Sequence, residues 1–242
     1  MPFLVSAPRS IVPGLDCRPD RGAEIVRGVQ GVEAVHAFKL GCWKGTLRSG
    51  LDAYVQAVGP YLNGRKLIYD HQKAGTDIPD LEDALPDLVE AGVHAAIFFP
   101  FGGAETLERW TRSAVDAGLS VIVGGHMTQK RFLWSEGGFI QDEAPERIYR
   151  LAVQLGVREF VVPGNKPEFV EKYKGIIEDE LEQAGAEGAE FDLYAPGFIK
   201  QGGDISETGR VAGSRWHAIV ASVLVNAPDV EAAALELASQ IG

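Results

Sequence analysis

Apolar residues along the chain gather into eight short runs at fairly even spacing, at 11–12, 34–40, 66–69, 95–99, 120–123, 159–162, 191–194 and 218–220. The segments between them have helical character. At 83–92 and 104–118, for example, apolar residues recur at helical spacing and each segment ends on a glycine, Gly92 and Gly118. Near-continuous apolar strands alternating with helices imply a parallel sheet covered by helices, and eight such units predict a closed (β/α)8 TIM barrel. An open doubly wound sheet is the alternative arrangement. Gly and Pro are spread along the chain rather than pooled, and Gly-Ala-Glu-Gly-Ala-Glu at 185–190 reads as a helix-to-strand loop. The expectation is one domain over residues 1–242.

In such a barrel, chemistry collects where strands end, so the residues after each run carry the functional reading. The third run leads into Asp70-His71-Gln72-Lys73-Ala74-Gly75-Thr76-Asp77-Ile78-Pro79, which sets carboxylates on both sides of a lysine. Charged groups beside an apolar strand are tolerated as a mutually paired cluster or as a wet loop. The first run is followed by Gly14-Leu15-Asp16, the second ends on Lys39-Leu40-Gly41, and the fifth leads into His126-Met127-Thr128. Taken singly, Asp16 also reads as a helix cap, Lys39 as a side chain reaching solvent, and His36 and His126 as structural histidines. His71 lies inside the charged motif and is a candidate substrate contact. After the seventh run, Gln201-Gly202-Gly203-Asp204 pairs two glycines ahead of a helix expected near Ser206-Glu207, an arrangement that cradles an anion or simply makes a left-handed turn.

Charge narrows the ligand class. A formal charge of −11 over 242 residues argues against nucleic-acid or anionic-membrane partners, while a phosphorylated small molecule needs only a few local donors. Cys17 and Cys42 have no metal-ligand spacing and form no disulfide framework, which suits two buried thiols in a reducing cytoplasm. No apolar run approaches the roughly 18 residues of a membrane span, and the first residues are too short for a signal core.

Taken together, these residues resemble the orotidine 5′-phosphate decarboxylase family. Its hallmark Asp-x-Lys-x-x-Asp-Ile-Pro is similar to the stretch from Asp70 to Pro79, and its first-strand aspartate and second-strand Lys-x-Gly to Asp16 and Lys39-Leu40-Gly41. Its Pro-Gly-x-x-x-Gln-Gly-Gly-Asp phosphate loop resembles the stretch from Pro196 to Asp204. The resemblance runs in order over nearly the whole chain. It implies decarboxylation of orotidine 5′-monophosphate to uridine 5′-monophosphate without metal or organic cofactor. It further implies Lys73 as proton donor, Asp70 beside the substrate carboxylate, and Lys39 bridging the carboxylates. Asp77 would reach the ribose of a partner subunit in a homodimer with shared sites. Asp16 would hold a ribose hydroxyl, Thr128 would read the pyrimidine, and Gln201, Gly202, Gly203 and Ser222 would meet the phosphate.

The chain departs from the family pattern twice. Asp70 and Lys73 are three apart where the family has two, so a bulge is expected to bring both to one face; without it, His71 and Thr76 would replace the carboxylates. Ser222 stands where the family has a phosphate-binding arginine, with Lys200, Arg210 and Arg215 as candidate substitutes. Two other readings are a metal-dependent barrel enzyme acting on another phosphorylated sugar acid and a non-catalytic nucleotide-binding homologue.

Overall fold

The computed structural model describes residues 2–41, 46, 49–71, 78–198 and 202–241. Strands β1 (Arg9–Pro13), β2 (Ala37–Gly41), β3 (Lys66–Asp70), β4 (Ala95–Phe98), β5 (Ser120–Gly124), β6 (Glu159–Val161), β7 (Asp192–Pro196) and β8 (Trp216–Val220) fall on the eight apolar runs. They pair in parallel in the order β1-β8-β7-β6-β5-β4-β3-β2. The remaining gap, between β1 and β2, is bridged at Ile11–Val35 and Gly14–Lys39. There the Ile11 N–H donates to the Ala34 carbonyl and the Leu15 N–H to the Lys39 carbonyl, each at 2.8 Å. The ring closes, so the fold is the expected (β/α)8 barrel and not an open sheet.

Helices α1 (Pro19–Gly28), α2 (Leu51–Val58), α3 (Ile78–Glu90), α4 (Ala104–Ala117), α5 (Ala144–Gln154), α6 (Pro167–Gln183), α7 (Ile205–Ala212), α8 (Ser222–Asn226) and α9 (Val230–Ser239) return the chain between strands. α4 stops where its sequence says it should: Gly118 adopts φ 91° and its N–H caps the Ala114 carbonyl. The segment 185–190 joins α6 to β7, as expected. Among the described residues no helix is long and apolar enough to cross a membrane.

Strand alternation divides the core into two layers. Phe38, Leu40, Leu67, Phe98 and Trp216 face outward into the helix-covered core, whereas Val12, Ala37, Ile68, Ile97, Ile122 and Ile219 fill the barrel axis. This parity also aims the polar residues. Lys39 shares the inward face of Ala37, and Asp70 that of Ile68, so both project into the axis at the end where β2 and β3 finish.

At the opposite end, the inward layer is polar and the N-terminal segment covers it. The Leu4 N–H donates to Glu159 Oε1 at 3.0 Å, Tyr194 donates to Glu159 Oε2 at 2.8 Å, and Arg215 donates to the Val5 carbonyl at 3.3 Å. Arg215 also pairs with Asp192, and Asp192 Oδ2 lies 3.2 Å from His217 Nε2. Burial pushes the Glu159 carboxyl up to about 7, against the opposing pull of its hydrogen bonds from Leu4 and Tyr194. Unfolded, the same group releases its proton near the ordinary glutamate value, so its destabilising contribution grows between roughly pH 4.5 and 7 and is complete above that. Glu159→Gln is therefore expected to gain stability relative to the parent between pH 5 and pH 8, by on the order of 1–3 kcal/mol in urea unfolding. A difference that does not change with pH would refute this.

Candidate active site

The strand C-termini surround a cleft of about 660 Å³, within the range of about 300–1,000 Å³ typical of small-molecule sites. Asp16, Lys39, Asp70, Thr128 and Ser222 all line it, so five of the residues singled out from sequence converge on one space. Lys73, Asp77 and Gln201 lie outside the described residues.

Lys39 is the hub. Its Nζ donates to Asp70 Oδ2 at 2.8 Å and to Asp16 Oδ1 at 3.3 Å. Lys39 is 6% exposed and Asp70 1%, so the second-strand lysine does not reach for solvent. Burial disfavours its charge, but Asp70 and then Asp16 outweigh that penalty and hold the ammonium above its ordinary pKa. Asp16 is not a helix cap either: α1 is preceded by Arg18, which makes no side-chain cap. Its carboxylate instead occupies the space over Gly41, where an added Cβ would collide with Asp16 Oδ1. The glycine of Lys39-Leu40-Gly41 thus makes room for the pairing.

The structure answers which of Asp70 and His71 faces the cleft. Asp70 points inward, whereas His71 turns to the helix layer, with ring centroids 5.5 Å from Trp110 and 5.8 Å from Tyr69. Burial lowers the His71 pKa, against the pull of Asp70. His71 is therefore not the substrate contact its place in the motif suggested, and it does not replace a carboxylate in the site.

Both glycines of the seventh-strand loop have backbone reasons. Gly202 adopts φ 88°, and a Cβ on Gly203 would press on the Gly197 carbonyl at 2.8 Å. The Gly203 N–H donates to that same carbonyl at 3.2 Å, pinning the loop's two ends together at the rim, and Asp204 caps α7 by accepting from the Glu207 N–H at 2.8 Å. The phosphate-cation candidates fare worse. Arg215 precedes β8 at the far end of the barrel, committed to Asp192, and Arg210 is exposed in the last turn of α7, which runs away from the cleft. Both are excluded by position, and Lys200 lies outside the described residues. Among the described cleft-lining residues, Lys39 is the one lysine or arginine. Cys17 is half-buried, its thiol 3.6 Å from the Tyr54 hydroxyl, and Cys42 lies outside the described residues. Among the described residues no cluster of three His, Cys, Asp or Glu is placed to hold a metal ion.

No protein-family model matches the chain. The orotidine 5′-phosphate decarboxylase of Methanosarcina mazei is 31% identical over 168 residues, 68% of this chain and 68% of that protein. The chain belongs to the orotidine 5′-phosphate decarboxylase family. The enzyme of the same name from Methanosarcina acetivorans is 30% identical over 168 residues, 68% of this chain and 67% of its own length. Among solved structures, the orotidine 5′-monophosphate decarboxylase of Methanocaldococcus jannaschii, complexed with the inhibitor BMP, superposes with a TM-score of 0.77 at 20% identity. The alignment covers 97% of this chain and 99% of that one. The Pyrococcus horikoshii decarboxylase gives 0.71 at 23% identity, covering 96% and 98%. At these identities the superpositions speak for the barrel shared across the decarboxylase family.

One part of this decarboxylase-family site escaped the sequence reading. His126, structural as expected in having both ring nitrogens engaged, nevertheless lines the cleft. Lys166 Nζ lies 2.9 Å from His126 Nε2, and the Tyr173 hydroxyl 2.8 Å from Nδ1. Burial, followed by the Lys166 charge, pushes the imidazole down to about 4, so it is neutral near pH 7. The signal was available: Gly164-Asn165-Lys166 follows the sixth apolar run, a strand end not weighed for polar residues.

Proposed function

We propose that this chain decarboxylates orotidine 5′-monophosphate to uridine 5′-monophosphate and CO2 in pyrimidine nucleotide synthesis. The observation that carries the reading is the Asp16–Lys39–Asp70 cluster, buried at the C-terminal mouth of the barrel in a chain of this family. In the reaction the bond between C6 and the carboxylate breaks, the electron pair stays on C6, CO2 departs, and a proton is delivered to C6. Lys73 is assigned that proton, since an ammonium next to C6 both stabilises the developing negative charge and quenches it. Asp70 stands beside the substrate carboxylate, where two like charges raise the ground state relative to a transition state with dispersed charge. Lys39 holds Asp70 and Asp16 in place, and Asp16 receives a ribose hydroxyl.

Thr128 meets the pyrimidine from the segment after β5, while Gln201, Gly202, Gly203 and Ser222 meet the phosphate. Asp77 completes the ribose contacts of a second copy, making the working form a homodimer, in the cytoplasm, with no cofactor. A serine in place of the family's arginine loses a charge-assisted contact of about 1.5–3 kcal/mol, so phosphate affinity is weakened tenfold or more. Purified protein given saturating orotidine 5′-monophosphate is expected to release CO2 and form uridine 5′-monophosphate in equal amounts. Absence of turnover overturns the proposal, and tight uridine 5′-monophosphate binding without turnover would identify a nucleotide-binding homologue instead.

A further inference from the structure

The segment after β5 is long and carries four cleft-lining residues, His126, Met127, Thr128 and Gln129, yet among the described residues it makes no strand pairing beyond its own Leu133–Ile140 bridge. It is held from β6. The Asn165 side-chain N–H donates to the Thr128 carbonyl at 2.9 Å. The next residue, Lys166, donates to Glu136 Oε1 at 2.6 Å and to His126 Nε2 at 2.9 Å. The other oxygen of Glu136 accepts the Phe132 and Leu133 N–H groups at 2.9 and 3.2 Å. Lys166 therefore joins both ends of the segment 126–136 to the barrel, through His126 and Glu136.

A lysine ammonium has donors and no acceptor, so His126 Nε2 must be the unprotonated nitrogen. The ring proton is then on Nδ1, which donates to the Tyr173 hydroxyl. This fixes the tautomer and the ring plane, with Phe132 stacked at 5.2 Å and Phe169 edge-on at 4.6 Å. Lys166 stands behind His126 and is not among the residues that line the cleft.

We propose that Lys166 is a positioning residue for this site, clamping the β5 segment through His126 and Glu136 so that Thr128 is presented to the base of the bound nucleotide. The role in turnover rests on the decarboxylase reading; the clamp itself does not. Thr128 is assigned to the base and not to the departing carboxylate, so loosening it is expected to act on KM.

The test uses Lys166→Met, which keeps the stem and removes the donor, with Lys166→Arg as the conservative variant. In 15N-histidine NMR spectra at pH 7, with His126 assigned by comparison with His126→Gln, the parent protein is expected to carry the Nδ1–H tautomer. Lys166→Met is expected to shift it toward Nε2–H and to speed amide exchange of Phe132 and Leu133. With orotidine 5′-monophosphate, Lys166→Met should raise KM about tenfold with kcat within about threefold, and Lys166→Arg should recover most of the loss. An Nε2–H tautomer in the parent protein, or a Lys166→Met variant with unchanged exchange and KM, overturns the proposal. The tautomer and exchange measurements need no substrate, so a parent protein inactive on orotidine 5′-monophosphate would sink the decarboxylase reading and leave the clamp decided on its own.

Discussion

Lys39→Met is expected to lower kcat/KM for orotidine 5′-monophosphate by about 10²–10³-fold or more, the scale of losing one preorganised charged donor from a dry site. The ammonium is 2.8 Å from Asp70 and 3.3 Å from Asp16, and all three groups face one cleft. Methionine fills the stem's volume but withdraws the cation, leaving two carboxylates to repel each other and the incoming substrate carboxylate. Removing one partner of a buried pair typically costs about 3–5 kcal/mol, so the variant should also unfold at lower denaturant. Lys39→Arg should not restore activity. A planar fork cannot occupy the point between Asp70 and Asp16 that a compact ammonium fills. Steady-state kinetics and urea unfolding check both effects, and a Lys39→Met enzyme within tenfold of the parent would contradict the assignment.

Asp70→Asn should separate two roles that geometry alone leaves joined. Asparagine keeps the shape and an oxygen for Lys39 while discharging the side chain. If Asp70 acts by repelling the substrate carboxylate, kcat falls about 10²-fold or more while substrate binds as tightly or tighter, the pattern of relieved ground-state strain. Measuring kcat together with the dissociation constant of orotidine 5′-monophosphate decides this. Slower turnover with markedly weaker binding would instead make Asp70 an anchor for Lys39.

The strands and the barrel were legible because the apolar runs mark strands whose two faces are both covered. The end of the barrel that carries chemistry followed from parallel direction, which places Asp16, Lys39 and Asp70 at one mouth. Parity did the rest: Lys39 and Asp70 share faces with Ala37 and Ile68, both on the axis. The motif's own content was less legible. Adjacent residues at a strand end point to opposite sides, so Asp70 and His71 part company however close they are in sequence, and His71 joins Trp110 in the helix layer.

The phosphate cation misled for a related reason. Arg210 and Arg215 are near the glycine loop in sequence, but a helix intervenes and carries the chain to the far end of the barrel before β8 begins. Lys166 was missed because its partners, His126 and Glu136, are 40 and 30 residues away on another segment. Sequence spacing reports neighbours along one element, whereas the parallel pairing of β5 with β6 sets the end of β6 beside the loop after β5.

The most direct measurement is the same decarboxylation run in D2O and followed by proton NMR. An exchangeable lysine ammonium delivering the proton to C6 predicts that orotidine 5′-monophosphate disappears and that the uridine 5′-monophosphate formed carries one deuteron at C6. Uridine 5′-monophosphate formed in D2O with protium at C6, or an unchanged substrate spectrum, would contradict the proposed chemistry.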